Sequence, residues 1–394
     1  MIKVAERAGL SVVFFVNGFV LATWFARIPG AAQRSGLHHG ELGAALLGMS
    51  AGALVAFQAS GWLSSRRGSA FATSVFGFGF CAALLLPAMA TSLWALFGAL
   101  VLLGAGNGGM DVAMNAQGLQ VERRRGRPVL SSLHGFFSLG GLAGAATGVL
   151  AAGQGVSLTD HFFAVAAIAA AVLAAMRPSM VRDLPEHPGD SGARSGRAVR
   201  LPPRPLWGIG AIAFCGAVAE GAMADWTAIY LRDALRSTTA VAPLGYAAFS
   251  ATMLIGRFSG DALRGRFTPR RIITTGSVIA AVGLAGGLTM PRPAAAVAGF
   301  AIVGLGVSII APVAFEAAAR SPLLPPARAL SAVATMAYTG FLVGPPLLGF
   351  VASATSLRSA LSLVAVLCAV AAVMAARATD LRATKPPSQA WPTS

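Results

Sequence analysis

Three polar side chains recur at every fourth position of an otherwise apolar stretch near residue 110. Asn107, Asp111 and Asn115 have this spacing, so a helix presents them as one polar stripe. A charged side chain in the middle of a membrane costs about 2.5–3.5 kcal/mol, so it needs a cavity, a partner or a proton. The stripe predicts proton coupling through Asp111 and substrate binding by Asn107 and Asn115. The alternative is a static hydrogen-bond network that joins helices.

Further charged residues lie in two later apolar stretches. Glu220 and Asp225 are five positions apart, which is about 140° around a helix, so they face different surroundings. Both are candidate proton-coupling residues, and Glu220 is expected in a central cavity. Asp225 has the alternative of packing near the outer mouth or pairing with Arg27. Arg257 is predicted to form an ion pair at an inner gate.

Two tryptophans and an arginine are candidate substrate-binding residues. Trp24 and Trp226 occupy matching places in the two halves of the chain and offer rings for a sugar or an aromatic ligand. Arg27 offers a charge for an anionic group. The alternatives are anchoring of both rings at the membrane interface and snorkelling of Arg27 to water.

A last set of residues is predicted to gate or brace the inner ends of helices. His134 is able to titrate near neutral pH, and a packing histidine is an equal alternative. The set consists of Arg66, Arg67, Arg257, Arg266, His134 and Glu316.

The composition requires the helices that carry these residues to lie in lipid. Of 394 residues, 56% are hydrophobic and 11% are charged, and the mean hydropathy is +0.70. Soluble domains carry about 25% charged residues. The net charge of +16 arises from basic residues in short loops, which indicates helix orientation and argues against nucleic-acid binding.

Catalytic and metal-binding motifs are missing from the sequence. It has no HExxH, no CxxC, no GxxxxGK[ST] and no GxSxG at a strand-to-helix turn. Cys81, Cys215 and Cys368 lie in apolar stretches and are predicted to be core residues. We therefore predict no enzyme activity, no cofactor and no metal site.

Twelve apolar runs are long enough to cross a bilayer, which takes about 20 residues. The predicted fold is an all-α membrane protein with twelve transmembrane helices, built as two six-helix bundles related by pseudo-two-fold symmetry. The runs lie near 10–29, 41–63, 70–90, 93–118, 131–152, 160–177, 206–231, 241–263, 272–290, 294–318, 330–353 and 358–377.

Polar segments divide the chain into its predicted domains. The six-helix bundles are 1–177 and 205–378, joined by a cytoplasmic linker, 178–204, and followed by a cytoplasmic tail, 379–394. Lys and Arg are concentrated in the linker, the tail and alternate loops, so both termini are predicted to be cytoplasmic. The first apolar run lacks a clear cleavage site and is expected to be retained. The predicted location is a bacterial-type inner membrane.

The two halves repeat each other at an offset of about 200 residues. Gly104-x-Gly106 reappears as Gly304-x-Gly306, and Gly140 reappears as Gly344. Because each half has an even number of spans, the repeats have the same orientation in the membrane. Parallel repeats of this kind flank a central cleft in one large class of secondary transporters.

The chain resembles a major facilitator superfamily transporter over nearly its whole length. Residues 61–68, Gly-Trp-Leu-Ser-Ser-Arg-Arg-Gly, are similar to the signature loop of that family. The family usually has an Asp before the first Arg of this loop, where this chain has Ser65 and, in its second copy, Gly265. The resemblance implies a transporter without the charge lock of that loop.

A narrower resemblance is to the fucose permease branch and its YbjJ-like relatives. It rests on Asn-Gly-Phe at 17–19, Ile28-Pro29 and Asp-Val-Ala-Met-Asn at 111–115. In fucose permease the acid at the Asp111 position is a protonation and substrate-site residue. That branch also has an acid on its first helix, where this chain has Phe25.

The sequence therefore predicts a monomeric secondary transporter, driven by protons, that moves a sugar-like or other polar metabolite across a lipid bilayer. The alternative is a proton-driven drug or metabolite exporter of the same fold, because the first-helix acid is missing. A receptor or scaffold that keeps the fold without transport is a third hypothesis, against which the short soluble segments argue.

Overall fold

The computed structural model describes residues 2–125, 129–181, 204–321 and 326–378. The described residues form thirteen α-helices, with a π-helical turn at Tyr230–Ala234 after the seventh. The helices are α1 Ile2–Arg34, α2 His39–Arg67, α3 Ser69–Ala83, α4 Leu93–Arg125, α5 Leu130–Gly153, α6 Leu158–Met176, α7 Arg204–Ile229, α8 Leu244–Arg266, α9 Pro269–Thr289, α10 Pro293–Val307, α11 Ile310–Ala319, α12 Pro326–Ala354 and α13 Leu357–Arg377.

The helices of the described ranges account for twelve spans. Eleven candidate spans are long and apolar enough to cross a membrane, and α10 with α11 counts as one of them, Pro293–Ala319. The remaining helix, α8, has 23 residues. It carries Arg257, Arg264 and Arg266, which lower its hydropathy. The predicted all-α membrane fold is confirmed, and the predicted count of twelve agrees with it.

Successive spans run in opposite directions, so the helix ends lie at two opposite ends of the bundle. We call the end that carries the start of α1 and the end of α13 the proximal end. The opposite end, which carries Arg34, His39 and Asp233, is the distal end. We call α1–α6 the N-half and α7–α13 the C-half.

The helix packing of the N-half recurs in the C-half. In the N-half α4 packs against both α2 and α3, and in the C-half α10 packs against both α8 and α9; α1 with α5 and α7 with α12 form the other matching pairs. The paired Gly-x-Gly motifs explain part of this agreement. Gly104 lies against the backbone of α2 at Met49, and Gly304 lies against the backbone of α8 at Phe249. Small residues let membrane helices approach in this way.

Within the described ranges, three helix pairs form most of the contact between the two halves. These are α2 with α12, α5 with α8, and α1 with α7. The α2–α12 contact is closest at the distal end, where a Cβ on Gly43 would lie 2.8 Å from the Pro345 carbonyl oxygen and 3.0 Å from the Gly349 Cα. Helix α4, which carries the polar stripe, packs against α2 of the first pair.

Candidate functional site

The polar stripe of α4 lies near the middle of that helix. Asn107, Asp111 and Asn115 are all partly buried. The Asn115 Nδ2 donates to Asp111 Oδ1 at 3.2 Å and to the Asp111 carbonyl oxygen at 2.8 Å. Asn107 Oδ1 is buried and accepts no hydrogen bond. Among the described residues, Asp111 forms no ion pair.

Helix α5 extends this polar surface toward the proximal end. His134 Nε2 lies 3.1 Å from Asn115 Oδ1, and its ring packs edge-on against Phe14 at a centroid distance of 5.3 Å. One turn farther along α5, the Ser138 hydroxyl donates to the His134 carbonyl oxygen at 3.1 Å. His134 is exposed, so it borders open space instead of filling a core position.

The C-half contributes an ion pair that contacts this polar surface at Ser138. Arg257 Nη2 of α8 lies 3.1 Å from Glu220 Oε1 of α7. Arg257 Nη1 also donates to Ser138 Oγ of α5 at 3.1 Å, so this side chain bridges the two halves. Arg257 thus forms an ion pair with the residue predicted for the central cavity, and its role at an inner gate stays a prediction.

Aromatic side chains lie close to this ion pair, and sequence reasoning did not predict a role for its tyrosine. Tyr246 of α8 is buried and lies within electrostatic range of Glu220, Arg257 and Asp225. Phe25 of α1 packs on Tyr246 with ring centroids 5.2 Å apart.

A second aromatic pair lies between α2 and α12. Tyr338 is near enough to Asp111 to experience its charge, and it packs edge-on against Phe57 at 5.2 Å. The chain has only three tyrosines, and two of them border this region. The rarity of tyrosine in the apolar spans was the available signal for Tyr246 and Tyr338. We call Asn107, Asp111, Asn115, His134, Ser138, Glu220, Arg257, Tyr246 and Tyr338 the central layer.

The two tryptophans do not join the central layer in this conformation. Trp24 and Trp226 are fully buried, and their Nε1 atoms donate no hydrogen bond. Trp24 packs on Phe162, with ring centroids 6.5 Å apart, and Trp226 packs on His39 at the same centroid distance. Both rings therefore act as packing side chains here.

Arg27 and Asp225 are also separated from the polar stripe. Arg27 Nη2 donates to the Val156 carbonyl oxygen at 2.8 Å, so the ion pair considered for Arg27 and Asp225 is not formed. Asp225 is buried on α7.

The distal end holds cross-half contacts that sequence reasoning missed. His39 Nε2 at the start of α2 lies 3.1 Å from Asp233 Oδ2 in the π-helical turn after α7. Arg232 pairs with Asp233 and donates to the Pro29 carbonyl oxygen of α1. Ser50 Oγ donates to the Phe341 carbonyl oxygen at 3.3 Å. We call these contacts, with Gly43 and Gly349, the distal layer.

The proximal gate candidates lie apart from one another. Glu316 of α11 pairs with Arg264 at 3.4 Å and with Arg320. Arg66 and Arg67 lie over the rings of Trp62 and Phe71 at 4.7 and 5.2 Å. Arg266 is exposed at the end of α8.

Metal and cofactor chemistry has no support in the described part of the chain. No group of three His, Cys, Asp or Glu side chains is arranged there to hold a metal ion. The three cysteines are buried and unpaired. The central layer instead offers hydrogen-bond donors, acceptors and aromatic rings, which suit reversible binding of a polar molecule.

Known proteins resemble this chain over nearly its whole length. Residues 10–326 match the family model of the Major Facilitator Superfamily. An uncharacterized MFS-type transporter of Yersinia pestis is 30% identical over 364 residues, covering 92% of this chain and 93% of that protein. Membrane protein MosC of Rhizobium meliloti is 35% identical over 349 residues, covering 88% of this chain and 84% of that protein.

Solved structures share the fold at low sequence identity. A mutant of the nucleoside transporter NupG superposes with a TM-score of 0.77 at 11% identity, covering 94% of this chain and 98% of that one. A bacterial homologue of the human lysosomal transporter Spinster, in an inward-facing and occupied conformation, gives a TM-score of 0.73 at 16% identity, with 95% and 96% covered.

The family match spans most of the chain, the relatives align along nearly all of it, and the helical architecture agrees with both. The polar central layer lies where two packed halves meet, inside a bundle of apolar spans. This chain therefore belongs to the Major Facilitator Superfamily and is a multi-pass membrane transporter.

Proposed function

We propose that the chain is a proton-coupled secondary transporter of a small polar solute, which binds in the central layer. The observation that carries the proposal is the position of Arg257. Its guanidinium is paired with Glu220 in the C-half and donates to Ser138 in the N-half. A solute oxygen that replaces Ser138 Oγ as acceptor is held by both halves at once, which couples binding to their relative movement.

The side chains around Arg257 favour a sugar-like solute. Asn107 Oδ1 is a buried acceptor without a donor, and a buried polar atom of this kind costs free energy until it is satisfied. A solute hydroxyl supplies the missing donor. Tyr338 and Phe57 add an aromatic surface on which the apolar face of a sugar ring can stack.

Asp111 is the proposed site of proton loading. Its carboxylate accepts from the Asn115 amide and has no cation beside it among the described side chains. Glu220, in contrast, is neutralised by Arg257. We propose that Asp111 takes up the proton first and that Glu220 responds when solute draws Arg257 away. Asp225 is the third proposed proton-coupling residue and acts from a buried place on α7.

The distal layer supports a direction of opening. Because the distal ends of the halves are in contact, we propose that solute reaches the central layer from the proximal end. The concentration of Lys and Arg in the linker and tail supports a cytoplasmic location for that end, with both termini inside. The proposed unit is a monomer of two six-helix domains, in the fucose permease and YbjJ-like branch, driving uptake across a bacterial inner membrane.

One observation favours export as the second candidate function. Phe25 stands where the related permease has an acid, and its ring is occupied by contact with Tyr246. A proton route through the first helix is therefore replaced by an aromatic wall, which suits a less polar cargo. The same central layer would then release a drug or metabolite outward in exchange for protons.

The test begins with thermal-shift screening of the purified full-length protein. Monosaccharides, polyols, nucleosides and aromatic drugs are screened at pH 5.5 and pH 7.5. A stabilising sugar-like compound is then labelled and tested for counterflow and for uptake driven by an inward proton gradient in proteoliposomes. Counterflow together with gradient-driven uptake supports the proposal. Counterflow without any gradient-driven uptake contradicts the coupling, and aromatic drugs as the only hits favour the exporter.

A further inference from the structure

A group of buried hydrogen-bond donors lies in the N-half at the distal end, away from the central layer. Arg27 is 9% exposed and His161 is 6% exposed. Arg27 Nη1, Trp24 Nε1 and both ring nitrogens of His161 are buried and form no hydrogen bond. One nitrogen of a neutral imidazole donates and the other accepts, so Arg27, Trp24 and His161 each offer a donor without a partner. Each such donor costs about 1–3 kcal/mol when it is removed from water.

These side chains belong to two helices that pack together, α1 and α6. Trp24 and Arg27 are three residues apart on α1, and therefore share a helix face. The Phe162 ring of α6 touches both Trp24 and its neighbour His161, at centroid distances of 6.5 and 6.0 Å. The Arg27 charge acts directly on His161. The three side chains therefore lie in the same part of the contact between α1 and α6.

No carboxylate among the described residues neutralises this group. The nearest acid in sequence is Asp160, which is exposed and accepts from the Ser157 hydroxyl at 2.6 Å. The acceptor that Arg27 does have is the neutral Val156 carbonyl oxygen. A buried guanidinium without a counter-charge is strongly unfavourable, so an anion from solution is the natural partner.

The surroundings limit the size of that anion. Gly30, one turn from Arg27 on α1, leaves space: a Cβ built there would meet only Leu158 Cδ1, at 3.8 Å. The low exposure of Arg27 and His161 leaves no room for a lipid headgroup. We infer that Arg27, His161 and Trp24 form a binding site for a small monovalent anion of halide size, which ties α1 to the start of α6.

The test measures melting temperature against chloride concentration, using purified full-length protein and gluconate to hold ionic strength constant. Because an anion bound to the folded state stabilises it, we expect chloride to raise the melting temperature saturably, by about 3 °C. The rise should disappear in Arg27→Gln and in His161→Phe. Arg34→Gln, an exposed arginine at the end of the same helix, is the matched control and should keep the rise.

Two results overturn the inference. One is a wild-type melting temperature that does not depend on the anion, and the other is an unchanged chloride response in Arg27→Gln. If that variant fails to fold, equilibrium binding of radioactive chloride to the wild-type protein decides. One bound chloride per chain supports the site, and no bound chloride means that water alone satisfies these donors. Failure of this test leaves the proposed transport function untouched, because none of the three residues lies in the central layer.

Discussion

The central layer and the distal layer both join the two halves, but they do so by different physics. In the central layer the cross-half contact is a hydrogen bond between polar side chains, from the partly exposed Arg257 to the buried Ser138. In the distal layer, helix backbones approach closely at Gly43 and Gly349, and His39 pairs with Asp233 above them. Close backbone packing is a two-state contact, formed or broken, whereas long polar side chains can exchange partners while the helices stay in place.

This difference assigns a task to each layer. In the central layer, Arg257 can donate to a solute atom in place of Ser138 while the helices stay in contact. The distal layer has to come apart as a unit when the solute leaves on the other side, as alternating access requires. The following predictions test whether solute and proton binding are confined to the first layer and opening to the second.

The largest effect is expected from Asp111→Asn, which keeps the shape of the side chain and the bond from Asn115 but removes the proton site. Counterflow, which needs no proton, should persist. Gradient-driven accumulation should fall by about 5–150-fold, the range typical of coupling between two ligands. Asp160→Asn is the matched control, since that carboxylate is exposed in the N-half and outside the central layer. Full gradient-driven accumulation in Asp111→Asn would remove Asp111 from the mechanism.

The next effect is expected from Gly43→Ala. The new Cβ would meet two backbone positions of α12, at Pro345 and Gly349, which have no rotamer with which to yield. Overpacking of this kind costs about 1–3 kcal/mol and should favour opening of the distal layer. The readout is maleimide labelling of Ser50→Cys from the distal side, against a low background because the native cysteines are buried. Gly61→Ala, in the same helix with nothing within 4 Å, is the control.

In that control the added methyl group should stabilise α2 by about 0.5–1 kcal/mol through helix propensity alone. Labelling of Ser50→Cys should therefore stay unchanged in Gly61→Ala. Equal labelling in Gly43→Ala and Gly61→Ala would show that α2 and α12 separate without resistance, and the contrast between the two layers would fail.

A smaller effect is expected from Arg257→Gln, which leaves Glu220 without its cation. Removing one partner of a fully buried pair costs about 3–5 kcal/mol. Here the two side chains are 28% and 32% exposed, and screening by water reduces the expected loss to about 1–2 kcal/mol. The double variant Arg257→Gln with Glu220→Gln should melt at a higher temperature than Arg257→Gln alone. Additive losses would mean that the two side chains are not coupled.

The sequence predicted the parts of the site that depend on one helix. The four-residue spacing of the stripe placed Asp111 and Asn115 on one face, and their bond is a local contact within α4. The contact of Arg257 with Ser138 depends on how α8 packs against α5, which no pattern within either helix specifies. The burial of Trp24 and Trp226 likewise depends on packing between helices. Their matching places in the two halves predict ligand contact, whereas neighbouring helices cover both rings in this conformation.

The smallest effect is expected from Asp233→Asn, which tests how much the charge of Asp233 contributes to the closed distal layer. The substitution weakens the bonds to His39 and Arg232, both of them partly exposed, so the cost should be near 1 kcal/mol. Labelling of Ser50→Cys from the distal side should rise by about fivefold, since 1.4 kcal/mol corresponds to a factor of ten. Glu41→Gln is the control, because Glu41 pairs with His38 within the N-half and crosses no interface. If both variants leave labelling unchanged, the close backbone packing at Gly43 and Gly349 alone holds the distal layer shut.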